Sequence, residues 1–401
     1  MLLPPPTKPA TDIVWPSILL SVFTGNRPLA AVADFRSPMP ERDKTVLFLF
    51  GRRPLQASVL DAAVAAEQLA RQGCDVQVAA LSRRAAELLR SRLNRPAAAL
   101  HAGLAWLGRL GHSQLAFRPA AVHAWDLEAA SCTGAIAGHG VPIRLTLCES
   151  AMTDLASGRN RKCLAAAACV ICHSQPVYNE LLQAGVSTDR VRLLAPAVDP
   201  ARMRAAQARR PEIRQALGLA AADAPVFTVP QQTGRDAGHQ LAAWSTFLLR
   251  RGGVPARLLL PEPSRQAARI MRFGAACGEQ AGIAVAPAGT PPLEILAAAN
   301  ALVVPSQGLY DPVIVAWAMS GGLLVVTAGV ERDPPLLDGL TCLTSADTRP
   351  LNLARAMLRV WQDRSLAASI TSAASQRIRC LCNPADCRAG GHAGGQSAFS
   401  H

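Results

Sequence analysis

Short continuous apolar runs alternate with longer amphipathic stretches from Thr45 almost to the end of the chain. "TVLFLF" (45–50) is such a run, expected of a strand buried on both faces. "ASVLDAAVAAEQLARQG" (57–73) follows as an amphipathic helix closed by Gly73, and "DVQVAAL" is the next strand. Strand, helix, strand at this spacing predicts a parallel α/β sheet. The alternation continues through the strands "AAVHAW", "IRLTLC" and "ACVICHS", with "LEAASCTGAIAGHG" read as one helix between the first two. "VRLLAPAVDP" leads out to an Arg-rich helical connection near 200–218.

A second series opens at "PVFTVP". It runs through the strands "ARLLL", "IAVAPAG", "ALVVPS" and "LLVVTA", separated by helices, and closes with helices near 350–362 and 364–378. The expected organisation is a Pro-rich arm (1–43), an α/β domain (44–200), a linker (201–224), a second α/β domain (225–380) and a tail (381–401). A crevice between two such domains is the natural place for a ligand.

The chain has 401 residues, 50% of them apolar, enough for two cores. Lys and Arg total 41 against 28 acids, a net +13, which admits an anionic partner. No block of five basic residues occurs and aromatics are only 4%, so neither a nucleic-acid arm nor a base-stacking platform is indicated. The start lacks the pattern of a signal peptide, and no apolar run reaches the length of a membrane span. A cytoplasmic protein with mostly reduced, buried cysteines is expected.

"CVICH" (Cys169, Cys172, His173) has the spacing of haem attachment, but it falls inside a buried strand, where core cysteines are expected. Cys380, Cys382, Cys387 and His392 depart from common zinc spacings and read as a reduced tail. Trp125 and Asp126, Cys148 and Glu149, and His173 each end a strand, where parallel sheets hold ligands or cap helices. Glycine-rich dinucleotide, P-loop and nucleophile-elbow motifs are absent at strand-to-helix turns.

Several segments, in order, resemble the family 4 retaining glycosyltransferases. "NALVVPSQGLYDPVIVAWAMSGGLLVVTAGVERDPPLLDGLTCLTSAD" is similar to their donor-site segment. "PVFTVPQQTGRDAGHQLAAW" is similar to the opening of their donor domain. "CVICHSQPVYNELLQAGVSTDRVRLLAPAVDPARM" resembles their passage out of the acceptor domain, and "PAAVHAWDLEAA" an acceptor-domain strand and turn. The resemblance implies a GT-B-like fold: two Rossmann-type parallel α/β domains facing a cleft. It also implies transfer of a sugar from a nucleotide-sugar to a glycan or lipid-linked acceptor, with retention. No metal or other cofactor is implied, since basic side chains and a helix N-terminus hold the diphosphate. Peripheral contact at the inner face of a membrane would suit a lipid-linked acceptor; no specific nucleic acid is implied.

The family's functional positions are altered here. Its two glutamates fall on Leu309 and Trp317, its Arg and Lys on Gln232 and Ala237, its aspartate on Asn300 and its acceptor-side histidine on Cys148. "GRRPLQ" replaces the glycine-rich turn after the first strand. Asp311, in "YDP", is placed either to cap a helix or to reach the sugar, and Arg235 and His239 to replace the missing charge. The helix start at Pro312 is expected to offer free N–H groups to a phosphate. Donor-side candidates are thus Gln231, Gln232, Arg235, His239, Ser306, Gly308, Leu309, Asp311 and Trp317. Acceptor-side candidates are Trp125, Asp126, Cys148, Glu149 and His173; no catalytic residue is assigned. A catalytically silent relative that binds a nucleotide, glycan or partner protein is the alternative.

Overall fold

The apolar runs become strands of two parallel sheets. The computed structural model describes residues 45–52, 54–100, 119–137, 141–148, 155, 157–219, 224–230, 238–305, 310–329 and 335–382. The expected N-terminal arm, and the tail beyond Cys382, lie outside the described residues.

The first unit contains β1 (Thr45–Phe50), α1 (Gln56–Arg71), β2 (Asp75–Ala80), α2 (Arg83–Leu93), β3 (Ala97–Ala99), β4 (Ala121–Ala124), α3 (Leu127–Ala130), α4 (Thr133–Ala137), β5 (Ile143–Leu147), α5 (Gly158–Ala166), β6 (Cys169–Cys172), α6 (Gln175–Gln183) and β7 (Val191–Leu193). The helices α7 (Pro200–Ala208) and α8 (Arg210–Ala216) connect it to the second unit. That unit contains β8 (Val226–Thr228), α9 (His239–Arg251), β9 (Arg257–Leu260), α10 (Arg265–Ala276), β10 (Ile283–Val285), α11 (Pro292–Ala298), β11 (Ala301–Val304), α12 (Pro312–Ser320), β12 (Leu324–Ala328), β13 (Leu343–Ser345), α13 (Pro350–Gln362) and α14 (Arg364–Cys382).

The sheet orders are β3-β2-β1-β4-β5-β6-β7 and β10-β9-β8-β11-β12-β13, all neighbours parallel. Each order reverses once, between β1 and β4 and between β8 and β11. A crevice opens at such a reversal, beyond the carboxyl ends of the strands, because the connections on its two sides leave in opposite directions.

Two details differ from the sequence reading. The stretch read as one helix is two, α3 and α4. The break falls where Ser131 Oγ donates to Glu128 O (2.7 Å) and Thr133 Oγ1 to Ala130 O (2.8 Å), side-chain bonds that compete with the helix ladder. The edge strands β3 ("AAA") and β13 ("LTS") were not foreseen; three small or polar residues carry no strand periodicity. Cys169 and Cys172 pack into different apolar clusters on opposite faces of β6, so they cannot both hold one haem.

The two units share one apolar cluster, in which α1 packs against α12. Gln207 Nε2 donates to Gly321 O at 2.7 Å, and Arg202 meets Glu67. The last helix returns to the first unit, where Cys382 Sγ donates to Pro196 O at 3.1 Å. No helix among the described residues is long and apolar enough to cross a membrane.

Candidate functional site

At the first reversal, β1 exits through Gly51 and Arg52, and β4 through Trp125 and Asp126. Asp126 caps α3: its Oδ1 accepts from Ala129 N at 2.6 Å. Its Oδ2 reaches across the crevice to accept from Gly51 N at 2.8 Å. Glu128 Oε2 accepts from Arg52 N, also at 2.8 Å, and its other oxygen lies 3.4 Å from Arg52 Nε. A Cβ at Gly51 would stand 2.7 Å from Glu128 Oε2 and 2.8 and 2.9 Å from the Asp126 oxygens, so the loop needs glycine for these carboxylates to approach. Burial pushes the Asp126 carboxyl up, and the amides of Ala129 and Gly51 pull it partly back.

Trp125 closes this crevice from beneath. Its ring stacks on His123 (4.2 Å between centroids) and Phe50 (5.9 Å), leaving the residue 1% exposed. Cys148 and His173, at the ends of β5 and β6, are also buried, and they meet a residue that the sequence reading missed, Asp61 of α1. His173 Nε2 lies 3.2 Å from Asp61 Oδ2, while Asp61 Oδ1 accepts from Ala197 N at 2.6 Å. The available signal was an acid set among the apolar residues Ala57, Ala62, Val64 and Ala65 of α1. Glu149 lies outside the described residues.

The second reversal brings together the exits of β8 and β11. Gly238, at φ +64°, presses against the loop after β11: a Cβ there would be 2.6 Å from Pro305 O. His239 Nε2 donates to Pro230 O at 2.9 Å. Burial pushes this imidazole down to about 4, only partly offset by the bond to Pro230. The expectation that His239 supplies a positive charge is therefore corrected; it is neutral at pH 7 and ties a backbone carbonyl. Gln231, Gln232, Arg235, Ser306, Gly308 and Leu309 lie outside the described residues.

At the start of α12, Asp311 Oδ1 accepts from Val313 N and Ile314 N, both at 3.1 Å. Pro312 has no N–H, and Val315 N bonds Asp311 O at 3.1 Å. The expectation of free amides for a phosphate is also corrected: the carboxylate of Asp311 already satisfies them. Trp317 is wholly buried in the cluster shared by the two units, and its Nε1 makes no hydrogen bond among the described residues. Asn300, at the opposite end of β11, accepts from Val226 N (2.8 Å) and from Arg214 (2.7 Å), a structural contact far from the strand's exit. Between the units, a cavity of about 150 Å³ is lined by Gln56, Leu60, Arg92, Arg202, Pro291 and Leu293. It is smaller than the roughly 300 Å³ at which ligand pockets usually begin.

Comparison with known proteins agrees with this architecture. Residues 62–202 match the family model described as Glycosyltransferase Family 4. HepE of Anabaena, crystallised with UDP-glucose, is similar over 84% of this chain and 95% of its own, at 16% identity and a TM-score of 0.65. Sucrose-phosphate synthase of Thermosynechococcus elongatus is similar over 85% and 95%, at 17% identity and 0.61. UDP-GlcNAc 2-epimerase of Neisseria meningitidis, bound to UDP-GlcNAc, is similar over 83% and 98%, at 13% identity and 0.56. No match was found among curated proteins. The chain has the GT-B fold, and the resemblance to family 4 glycosyltransferases read from its sequence is borne out.

Proposed function

We propose that this protein transfers a sugar from a nucleotide-sugar donor to a glycan or lipid-linked acceptor, with retention of configuration. The observation that carries the proposal is the coincidence of the family 4 match in the first unit with a GT-B fold like that of a UDP-glucose complex over most of the chain. The donor binds at the β8/β11 reversal, held by the segments 231–237 and 306–309. Arg235 is the cation that steadies the diphosphate as it departs, in the absence of the usual Arg and Lys pair. Gln231, Gln232, Ser306 and Gly308 contribute hydrogen bonds to sugar or phosphate. The acceptor enters from the β1/β4 side. The excess of basic residues suits a protein working at an anionic membrane surface on the cytoplasmic side.

A second reading, a silent relative that binds without turnover, is favoured by one feature. The amides at both crevices, at Gly51, Arg52, Val313 and Ile314, are satisfied by the chain's own carboxylates. The fold alone does not decide between the readings, since it also serves an epimerase. Donor hydrolysis or transfer, measured against whichever nucleotide-sugar binds, separates them. Turnover that falls with Arg235→Ala supports the transferase, whereas binding without turnover supports the second reading.

A further inference from the structure

Asp61, Cys148 and His173 come from three elements, the centre of α1 and the ends of β5 and β6. All three are buried, and their donor atoms lie within 4.8 Å of one another. The proposed transfer gives this buried group no task.

His173 fixes what the cluster can hold. Its Nδ1 lies 2.8 Å from Leu194 O, a carbonyl, so Nδ1 carries a proton and donates it. Nε2 then points at the Asp61 carboxylate from 3.2 Å, yet makes no well-aligned hydrogen bond among the described residues. In a neutral imidazole its lone pair would face the carboxylate, a repulsive contact. A cation belongs between them, either a proton or a metal ion. An Nδ1–H bonded to a backbone carbonyl, with Nε2 left open, is how proteins orient a histidine toward a metal. Ala197 N fixes the second oxygen of Asp61 in the same way.

A cysteine–histidine–aspartate triad is excluded by this geometry. A triad uses one ring nitrogen for the nucleophile and the other for the carboxylate. Here Leu194 takes Nδ1, and no substrate reaches a thiol that is 2% exposed.

We propose that Asp61 Oδ2, His173 Nε2 and Cys148 Sγ bind a zinc-class divalent ion that fastens α1 to the ends of β5 and β6. A thiolate and an imidazole select zinc over magnesium or calcium. The charge balance permits it in a buried place. Without metal, a carboxylate, an imidazolium and a thiol sum to zero. With a divalent ion, a carboxylate, a neutral imidazole and a thiolate also sum to zero, and two protons leave, from Nε2 and from Sγ.

The test uses full-length protein made without a histidine tag in zinc-supplemented medium. Elemental analysis is expected to find roughly one zinc per chain after dialysis. Cobalt(II) loaded into chelator-stripped protein is expected to give a thiolate-to-metal charge-transfer band. The band should be lost in Cys148→Ser and kept in Cys277→Ser. If Cys148→Ser fails to fold, Cys148→Ala takes its place in the same comparison. Zinc below one tenth of an equivalent, with no band on cobalt titration, overturns the proposal, as does a band that survives in folded Cys148→Ser. None of these readouts depends on nucleotide binding or sugar transfer.

Discussion

The two sheets reverse their strand order in the same way, yet they finish the resulting crevices with different chemistry. At β1/β4, side chains do the closing: Asp126 and Glu128 reach across to the amides of Gly51 and Arg52, over a floor of stacked aromatic rings. At β8/β11, backbone does it: Gly238 lies against Pro305 O, and a neutral imidazole holds Pro230 O. Both crevices need a glycine, but for different partners. Gly51 makes room for carboxylates that can yield; Gly238 makes room for a main-chain carbonyl that cannot. The donor is assigned to the second because the segments similar to the family's donor site lead out of β8 and β11.

The largest expected effect is at Gly238. An alanine there would adopt φ +64° with its Cβ 2.6 Å from Pro305 O. Strain and overpacking of this kind cost about 3–4 kcal/mol, readable as a lower urea midpoint. An unchanged midpoint would break the contrast with Gly51.

Acid should weaken the second crevice next. The unfolded chain protonates His239 near pH 6.5, whereas the folded chain resists until about 4. Stability from this group is therefore complete above 6.5 and is lost as pH falls toward 4, by roughly 3 kcal/mol over the window. Urea titrations at several pH values should show that slope, and His239→Gln, which keeps a donor for Pro230 O, should flatten it.

Asp126→Ala removes a helix cap and the partner of Gly51 N together, an expected loss of about 2 kcal/mol. The same variant sharpens the comparison if it leaves nucleotide affinity unchanged, since it acts at the other crevice. Asp311→Ala should cost about 1 kcal/mol as a lost cap. If Asp311 also contacts the donor sugar, affinity or turnover falls further than this loss of stability explains; if it only caps, donor affinity is preserved in the folded variant.

Much of the fold was legible because strands buried on both faces read as continuous apolar runs, such as "TVLFLF" and "ALVV". β3 and β13 escaped because "AAA" and "LTS" present no such run, and the α3/α4 break escaped because hydroxyl back-bonding leaves the apolar pattern intact. The site was legible less evenly. Asp126 and Asp311 were placed at strand exits and helix starts by position alone. What each carboxylate binds depends on backbone amides that no spacing reveals. His239 looked like a spare charge because its burial, not its identity, sets its protonation. The role of Asp61 could not be read from its apolar surroundings alone, because its partners, at the ends of β5 and β6, meet it only when the sheet forms.

The central claim is that the β8/β11 crevice binds a nucleotide-sugar. It is tested most directly by thermal denaturation of the full-length protein against a panel of nucleotide diphosphates and nucleotide-sugars. The account predicts that at least one of them stabilises the protein, by about 2.7 kcal/mol at a hundredfold excess over Kd, and that Arg235→Ala weakens the response. A panel in which no nucleotide or nucleotide-sugar shifts the midpoint would contradict it.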